Sequence, residues 1–194
     1  MSKIAIIDYG AGNVQSVKYA LERLGLQSIL TNKKREITKA EKVIFPGVGQ
    51  AGNAMKALTA LGLDKLIPTL RQPFLGICLG MQLLCKYSEE GNSKGLEIFP
   101  VSVRKFDNQL KVPQIGWNRI LNPVNKLFDG IPEQSFMYFV HSYYVPINDY
   151  TIAHSVYGSG FSAAIMKDNY FGCQFHPEKS GNPGQLLLQN FIML

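Results

Sequence analysis

One cysteine of this sequence stands in a setting that favours nucleophilic chemistry. In the stretch FLGICLGMQLL, residues 74–84, Cys78 has Gly76 two positions before it and Gly80 two positions after it. A strand-like apolar run precedes the cysteine, and a helical pattern over 79–85 follows it. This G-x-C-x-G spacing predicts a sharp strand-to-helix turn that exposes the thiol, while the helix amides favour the thiolate form. The alternative is a buried packing cysteine in an ordinary glycine turn.

A thiol nucleophile also needs a base and a group that orients the base. His176 lies in CQFHPEKS, where Pro177 keeps the chain extended, so Glu178 points to the same side and can hold one ring nitrogen. The other two histidines fit the role less well, because His141 ends an apolar strand and His154 has no carboxylate near it in the sequence. We therefore predict Cys78 as nucleophile, His176 as acid and base, and Glu178 as orienter. A polar loop before a helix is the alternative interpretation of His-Pro-Glu.

Acyl transfer further requires rigid donors for the oxyanion. The segment IFPGVGQAG, residues 44–52, follows a predicted strand and precedes a predicted helix, and its glycines allow close backbone approach. We predict that the oxyanion is held by the amide of Leu79 and by one from 47–49, with Val48 the best candidate. Taken alone, PGVG is also an ordinary turn.

The elements that must position these residues alternate in the first half of the chain. We predict strands at 3–8, 27–31, 42–45 and 74–77, and helices at 13–24, 51–61 and 79–85. This alternation predicts an α/β fold with a mostly parallel sheet flanked by helices. Extra antiparallel strands are expected at 98–105, 116–121, 135–140, 151–157, 161–167 and 170–175, before a last helix at 184–193. GAGN at 10–13 lacks the third glycine of a dinucleotide fingerprint, so a tight turn with Asn13 starting a helix is expected instead.

Composition narrows the class of protein. The 194 residues are 46% hydrophobic and 18% charged, which is typical of one globular domain spanning 1–194. We expect a cytoplasmic protein with no secretory signal and no membrane contact. Three unevenly spaced cysteines fit a reducing compartment, with Cys85 and Cys173 assigned to packing. The net charge of +6 has only KKR at 33–35 as a cluster, so a nucleic-acid partner is not expected, whereas an acidic partner or phosphorylated metabolites would fit.

Taken together, GICLGMQ, HPE and PGVG resemble the class I, triad-type glutamine amidotransferases, which have a flavodoxin-like fold and release ammonia from glutamine. Five further stretches resemble the glutaminase subunits of imidazole glycerol phosphate synthases: IIDYGAGN, FPGVGQAGNAM, VPQIGWN, YFVHSYYV and HPEKS. The resemblance implies a heterodimer with a (βα)₈-barrel cyclase subunit that makes imidazole glycerol phosphate in histidine biosynthesis, without cofactor or metal. It implies that L-glutamine is bound by Gly49, Gln82, Ser142 and Tyr143. It also places Asn13, Trp117, Tyr138 and Lys179 at the subunit interface.

Two departures from the family pattern leave other functions open. Gln114 stands where the family usually has histidine, and SGNPG at 180–184 differs from the residues that the family commonly has there. A related glutaminase could feed a different synthase, such as one that modifies surface sugars, and a co-purified partner would distinguish the two. A non-catalytic regulatory binding protein would have no chemical need for the triad and the oxyanion glycines. A cysteine peptidase or other amidase could use the same triad but would account less directly for Gln82 with Ser142 and Tyr143.

Overall fold

The computed structural model describes residues 4–10, 12–107 and 109–194. Lys3 of the predicted first strand and Ala11 of the GAGN turn lie outside these ranges. The helices in the described part are α1 Val14–Arg23, α2 Lys34–Lys39, α3 Ala51–Ala60, α4 Leu63–Leu66, α5 Leu79–Leu83 and α6 Gly181–Met193. The strands there are β1 Ile4–Ile7, β2 Ser28–Thr31, β3 Lys42–Gly47, β4 Phe74–Cys78, β5 Cys85–Ser88, β6 Ser93–Lys94, β7 Phe99–Lys105, β8 Gln114–Arg119, β9 Phe136–His141, β10 Tyr143–Tyr144, β11 Thr151–Tyr157, β12 Ser159–Lys167 and β13 Tyr170–Cys173.

A seven-stranded sheet forms the centre of the fold, in the order β11-β12-β13-β4-β3-β1-β2. The five strands from β13 to β2 are parallel, and β12 and β11 extend the sheet by antiparallel pairing. Every residue of β1 and β4 is buried, because helices cover both faces of a parallel sheet and leave neither face to water. The predicted α/β fold with a mostly parallel central sheet is confirmed.

Two apolar clusters separate the faces of this sheet. Alternate residues of a strand point to opposite faces, and Ile4 and Ile6 accordingly belong to one cluster with α1 and α6. Ala5 and Ile7 belong to the other cluster, which includes residues of α2, α3 and α4. The parallel strands are thus clamped between helices, and their carboxyl ends are held at one rigid edge.

Strands between residues 85 and 144 form two smaller sheets. One has the order β10-β7-β5-β6, and the other is the antiparallel pair β8–β9, in which Trp117 lies opposite Tyr138. Extra antiparallel strands are present as expected, but β7 pairs in parallel with β5, and β13 pairs in parallel with β4 while it pairs antiparallel with β12. Within the described ranges no helix is long and apolar enough to cross a membrane.

The helix predicted over 79–85 is wrong at its end. It stops at Leu83, and Cys85 begins β5. The main-chain N–H of Leu96 donates to Leu83 O at 2.8 Å, and that of Ile98 donates to Leu84 O at 3.0 Å, so a later segment takes the carbonyls that would continue the helix. Cys85 is fully buried, so its packing assignment is consistent with its place in a strand.

Candidate active site

Cys78 occupies the predicted elbow between β4 and α5. Its φ of 54° and ψ of −113° are strained for a residue with a side chain. The two flanking glycines are required by space: a Cβ on Gly76 would lie 2.8 Å from the main chain of Gly80, and one on Gly80 would collide with the carbonyl of Phe45. The strand-to-helix turn therefore holds the thiol at the carboxyl edge of the sheet, with 7% of the residue exposed.

His176 and Glu178 are hydrogen-bonded, with Nδ1 2.8 Å from Oε1. Both side chains are buried. The backbone between them is not extended, contrary to what Pro177 led us to expect. Pro177–Lys179 instead forms a 3₁₀ turn, closed by the hydrogen bond that Lys179 N donates to His176 O. The contact is thus made across a turn rather than along a strand.

The electrostatic environment of His176 favours its charged form. Burial works to lower the pKa of the imidazole, but the Cys78 sulfur and the Glu178 carboxylate together outweigh it and raise the pKa above its ordinary value. A protonated ring between a sulfur and a carboxylate can hold a thiolate in place and later supply a proton.

The sulfur of Cys78 has two further polar contacts. It lies 3.6 Å from the carbonyl oxygen of Val140 and 3.7 Å from Nε2 of Gln174. The Gln174 side chain was missed by sequence reasoning. The available signal was a glutamine interrupting the apolar run YFGCQF, two residues before His176.

A cavity of about 680 Å³ opens beside Cys78. The structure brings most of the predicted site residues to its wall: Asn13, Val48, Gly49, Cys78, Leu79, Gln82, Ser142, Tyr143, His176 and Lys179. Glu178 is bonded to the ring of His176 and is absent from the lining, as are Trp117 and Tyr138.

The candidate oxyanion residues come from two adjacent parallel strands. Gly47 ends β3 and pairs with Cys78 in the register of β3 with β4, which brings Val48 and Gly49 next to the elbow. Leu79 is the first residue of α5, so its amide is among the unpaired donors of a helix N-terminus. Gly49 has a φ of +93°, a conformation that suits glycine.

Glu90 also lines the cavity, and sequence reasoning missed it because SEEGN looks like a solvated loop. Its Oε2 accepts a 2.7 Å hydrogen bond from the amide of Ala51. Burial raises the pKa of the Glu90 carboxyl, and the Ala51 bond partly offsets that rise. The cavity therefore includes one carboxyl group that the motifs did not identify.

His141, which the sequence made a weaker candidate for the base, lies in the same wall but is held by other protein groups. Its Nδ1 is 2.8 Å from Tyr143 O, and its Nε2 is 3.0 Å from the side chain of Gln114. Burial lowers the pKa of His141 to about 4, so the ring is neutral at physiological pH. Gln114, the departure from the family pattern, is thus buried against this histidine.

The four predicted interface residues are grouped around the cavity mouth and the β8–β9 pair. Asn13 and Lys179 line the cavity. Lys179 Nζ lies 5.9 Å from the ring centroid of Tyr138, whose ring packs edge-on against Trp117. Trp117 is 56% exposed, so a large apolar side chain faces solvent beside the site.

Comparison with known proteins agrees with this geometry. The family model described as "Glutamine amidotransferase class-I" matches residues 5–194. The chain therefore belongs to the class I glutamine amidotransferases.

Among curated relatives, the "Imidazole glycerol phosphate synthase subunit HisH" of Bacteroides thetaiotaomicron is 53% identical over 195 positions, covering 99% of this chain and 100% of the relative. The protein of the same name from Haemophilus influenzae strain ATCC 51907 is 49% identical over 194 positions, covering 99% and 98%. A chain in the solved structure of PurLQS from Thermotoga maritima has the same fold, with a TM-score of 0.72 at 17% identity and coverage of 100% and 99%.

Proposed function

We propose that this chain is the glutaminase subunit of an imidazole glycerol phosphate synthase. It hydrolyses L-glutamine to glutamate and ammonia, and a cyclase subunit uses the ammonia to make imidazole glycerol phosphate in histidine biosynthesis. The observation that carries the proposal is the strained Cys78 elbow, which shares one cavity with a His176 ring bound to Glu178. The name shared by full-length relatives at 49–53% identity favours this synthase over one that modifies surface sugars.

The first half of the reaction breaks the carboxamide. The Cys78 thiolate forms a C–S bond with the side-chain carbonyl carbon of glutamine, and the oxygen gains a negative charge. The amides of Val48 and Leu79 stabilise this oxyanion. The C–N bond then breaks, His176 donates a proton to the leaving nitrogen, and ammonia departs from a thioester.

The second half regenerates the thiolate. His176, now neutral, removes a proton from water, and the oxygen attacks the thioester carbon. The C–S bond breaks, glutamate leaves, and the imidazolium again faces a thiolate. Glu178 holds Nδ1 throughout, which keeps Nε2 directed at the reacting atoms.

The head group of glutamine fits the polar groups of the cavity wall. Both N–H bonds of Gln82 Nε2 are used, one by Tyr143 O at 2.8 Å and one by Gln174 Oε1 at 2.8 Å. Only the oxygen of Gln82 is therefore free to accept from a ligand, and an α-ammonium group is the matching donor. Glu90 adds an acidic group to the same wall, while the Gly49 amide and the Ser142 hydroxyl are donors for the α-carboxylate.

The outer face of β8–β9 is the surface we assign to the cyclase subunit, which we take to be a (βα)₈ barrel. Ile115, Trp117 and Phe136 are large, apolar and 64%, 56% and 49% exposed on this hairpin. Trp117 packs against Tyr138, and Lys179 connects this surface to the cavity mouth. An aromatic group surrounded by polar side chains is typical of an interface anchor.

The test is glutamate release from L-glutamine by the purified chain, measured alone and with a cyclase subunit and its nucleotide substrate. We expect release to be strongly stimulated by the cyclase and abolished by Cys78→Ala. Release that ignores the cyclase would contradict the proposed partner. Absence of release with the cyclase and its substrate present would contradict the glutaminase itself.

A further inference from the structure

A buried chain of amide hydrogen bonds ends at the nucleophile. Tyr143 O accepts from Gln82 Nε2 at 2.8 Å, and Gln174 Oε1 accepts from the same nitrogen at 2.8 Å. Gln174 Nε2 then lies 3.7 Å from the Cys78 sulfur. The chain joins the wall of the ligand cavity to the attacking atom through the side chain of Gln174.

The first acceptor determines the direction of every bond in this chain. Tyr143 O is a main-chain carbonyl and can only accept, so the group of Gln82 that faces it must be the amide nitrogen. That nitrogen also faces Gln174, which must therefore present its oxygen. The remaining group of Gln174 is its NH₂, and an N–H donor consequently faces the sulfur.

Burial indicates that Gln174 is more than a packing residue. It is fully buried, directly after β13 and between the apolar Cys173 and Phe175, which are also buried. Burial of an amide is costly unless its polar atoms are hydrogen-bonded, and an apolar side chain would fill the same place without that cost. Both polar atoms of this amide contact residues of the site: Oε1 accepts from Gln82, and Nε2 donates to the sulfur of Cys78.

We propose that Gln174 is a positioning residue of the glutaminase site: its N–H stabilises the Cys78 thiolate, and its carbonyl keeps the oxygen of Gln82 directed at the glutamine α-ammonium. The inference rests on the proposed function for the second role. The first role concerns only the thiolate, since a donor to the charged form of an acid favours that form. One side chain thus couples the nucleophile to the ligand-binding wall.

The test measures alkylation of Cys78 by iodoacetamide as a function of pH, which requires neither glutamine turnover nor a partner. Gln174→Met keeps the side-chain length and removes the donor. Gln174→Glu keeps an acceptor for Gln82 but replaces the N–H donor with a carboxylate, whose negative charge beside the sulfur disfavours the thiolate. We expect both variants to be alkylated roughly threefold to tenfold more slowly than the wild type near pH 7. The pH at which alkylation reaches half of its maximal rate should increase in both variants. The limiting rate of the Met variant at high pH should stay close to that of the wild type.

Gln72→Met is the matched control, because the Gln72 amide also donates to a carbonyl, Ile37 O at 2.9 Å, but at the other end of β4. It should leave the alkylation profile unchanged. Cys78→Ala gives the background from Cys85 and Cys173, both fully buried. Thermal denaturation establishes which variants fold. If Gln174→Met does not fold, the alkylation profile of Gln174→Glu tests the proposal instead.

Two results would overturn the proposal. One is a folded Gln174 variant whose alkylation profile superimposes on that of the wild type. The other is a Met variant that loses the same factor at every pH, since that would mean a displaced sulfur rather than a lost donor. Glutaminase kinetics are then read separately: Gln174→Met should raise the KM for glutamine and lower kcat. If the wild type releases no glutamate while the Gln174 variants still show the shifted alkylation profile, the proposed function is contradicted and the thiolate role of Gln174 stands.

Discussion

The imidazole of His176 is charged in a place that water barely reaches. Two neighbours make this possible, because Glu178 takes one ring nitrogen at 2.8 Å and the Cys78 sulfur interacts with the ring. The second oxygen of Glu178 is buried and has no hydrogen-bond partner among the described residues. The ring of His176 is therefore the one hydrogen-bond partner of this carboxylate among the described residues, and the negative charge of the carboxylate helps to raise the pKa of that ring.

Replacement of Glu178 by glutamine tests the role of this charge. The substitution keeps the size of the side chain but removes the charge that helps to raise the pKa of His176, so the ring loses its proton more easily and its tautomer is less well determined. We expect kcat for glutamine hydrolysis with the partner present to fall by about 10²-fold to 10⁴-fold. Steady-state kinetics measure it, with Glu41→Gln on the surface as control, and a kcat within threefold of the wild type would contradict the role.

His141 gives a prediction for the stability of the fold. Burial lowers its pKa to about 4, below the ordinary 6.5, so protonation favours the unfolded chain. The stabilisation is complete above pH 6.5 and is lost as pH falls from 6.5 towards 4. We expect it to contribute about 3 kcal/mol to the decrease in the free energy of unfolding over that window.

Urea denaturation of the wild type and of His141→Gln at several pH values between 7.5 and 4 measures this contribution. The raised pKa of His176 acts in the opposite sense and is common to both proteins. The wild type should lose more stability than the variant across the window. Equal pH dependence in the two proteins would show that His141 does not titrate in this way.

The residues of the site divide by how far apart their partners lie in the sequence. His176 and Glu178 are neighbours, and the glycines around Cys78 are in one pentapeptide, so both groupings were predicted locally, although the path from His176 to Glu178 is a 3₁₀ turn and not the extended one expected. Gln174 and Glu90 acquire their positions from residues 96 and 39 positions away. Such contacts exist only after the sheet has formed, so the glutamine within YFGCQF marks Gln174 as unusual but does not identify Cys78 and Gln82 as its partners.

At the scale of elements, β9 joins the proposed partner surface to the proposed catalytic residues. The side chain of Tyr138 faces Trp117, while its main-chain N–H donates to Ser180 Oγ at 3.0 Å and its carbonyl accepts from His176 N at 2.9 Å. Further along the strand, Val140 O is the 3.6 Å contact of Cys78 Sγ. A displacement of β9 would therefore move main-chain groups that contact both Cys78 and His176.

The loop after β3 is the other element that sets the site. Gly49 has a φ of +93° with open space where a Cβ would stand. Gly49→Val therefore causes no clash, but it strains the backbone at this positive φ and makes the loop less able to change conformation. We expect the variant to lose most of its partner-stimulated glutaminase activity, because the Val48 amide then cannot adopt the oxyanion geometry freely. Coupled glutamate release measures this loss.

Gly25→Val is its matched control, since Gly25 has a φ of +72° and equally open space after α1, away from the cavity. Both substitutions should cost similar stability, on the order of 1–2 kcal/mol. Only the change at Gly49 should reduce activity at a temperature where both proteins are folded. Equal activities would mean that the loop contributes nothing specific.

Element prediction succeeded where the periodicity was long and failed where tertiary contacts decided. α1 and α3 were placed within a residue or two, and Gly25 ends α1 as expected. The six-residue α2, KREITK, is too short and polar to show a helical stripe. The apolar residues around Cys85 fit a buried helix and a buried strand equally well, and only the bonds from 96 and 98 decide between them.

At the scale of the whole molecule, the ligand cavity and the exposed apolar surface share one side. Lys179 belongs to both, because it lines the cavity and lies over the ring of Tyr138. Exposed apolar side chains scattered singly are common on proteins, but a contiguous group on one hairpin indicates a contact surface. A partner bound there would lie next to the mouth of the cavity.

Trp117 is the residue on which this surface depends most. It is 56% exposed and packs only edge-on against Tyr138, so Trp117→Ala leaves the fold intact while removing the largest apolar side chain of the hairpin. We expect the Kd for the cyclase subunit, measured by calorimetry, to rise about tenfold or more. Glutaminase activity at saturating cyclase should stay within a few-fold of the wild type, since Trp117 does not line the cavity. Ile29→Ala, at another exposed apolar side chain on the edge strand β2, should leave Kd unchanged. A Kd that Trp117→Ala leaves unchanged would contradict the assigned surface.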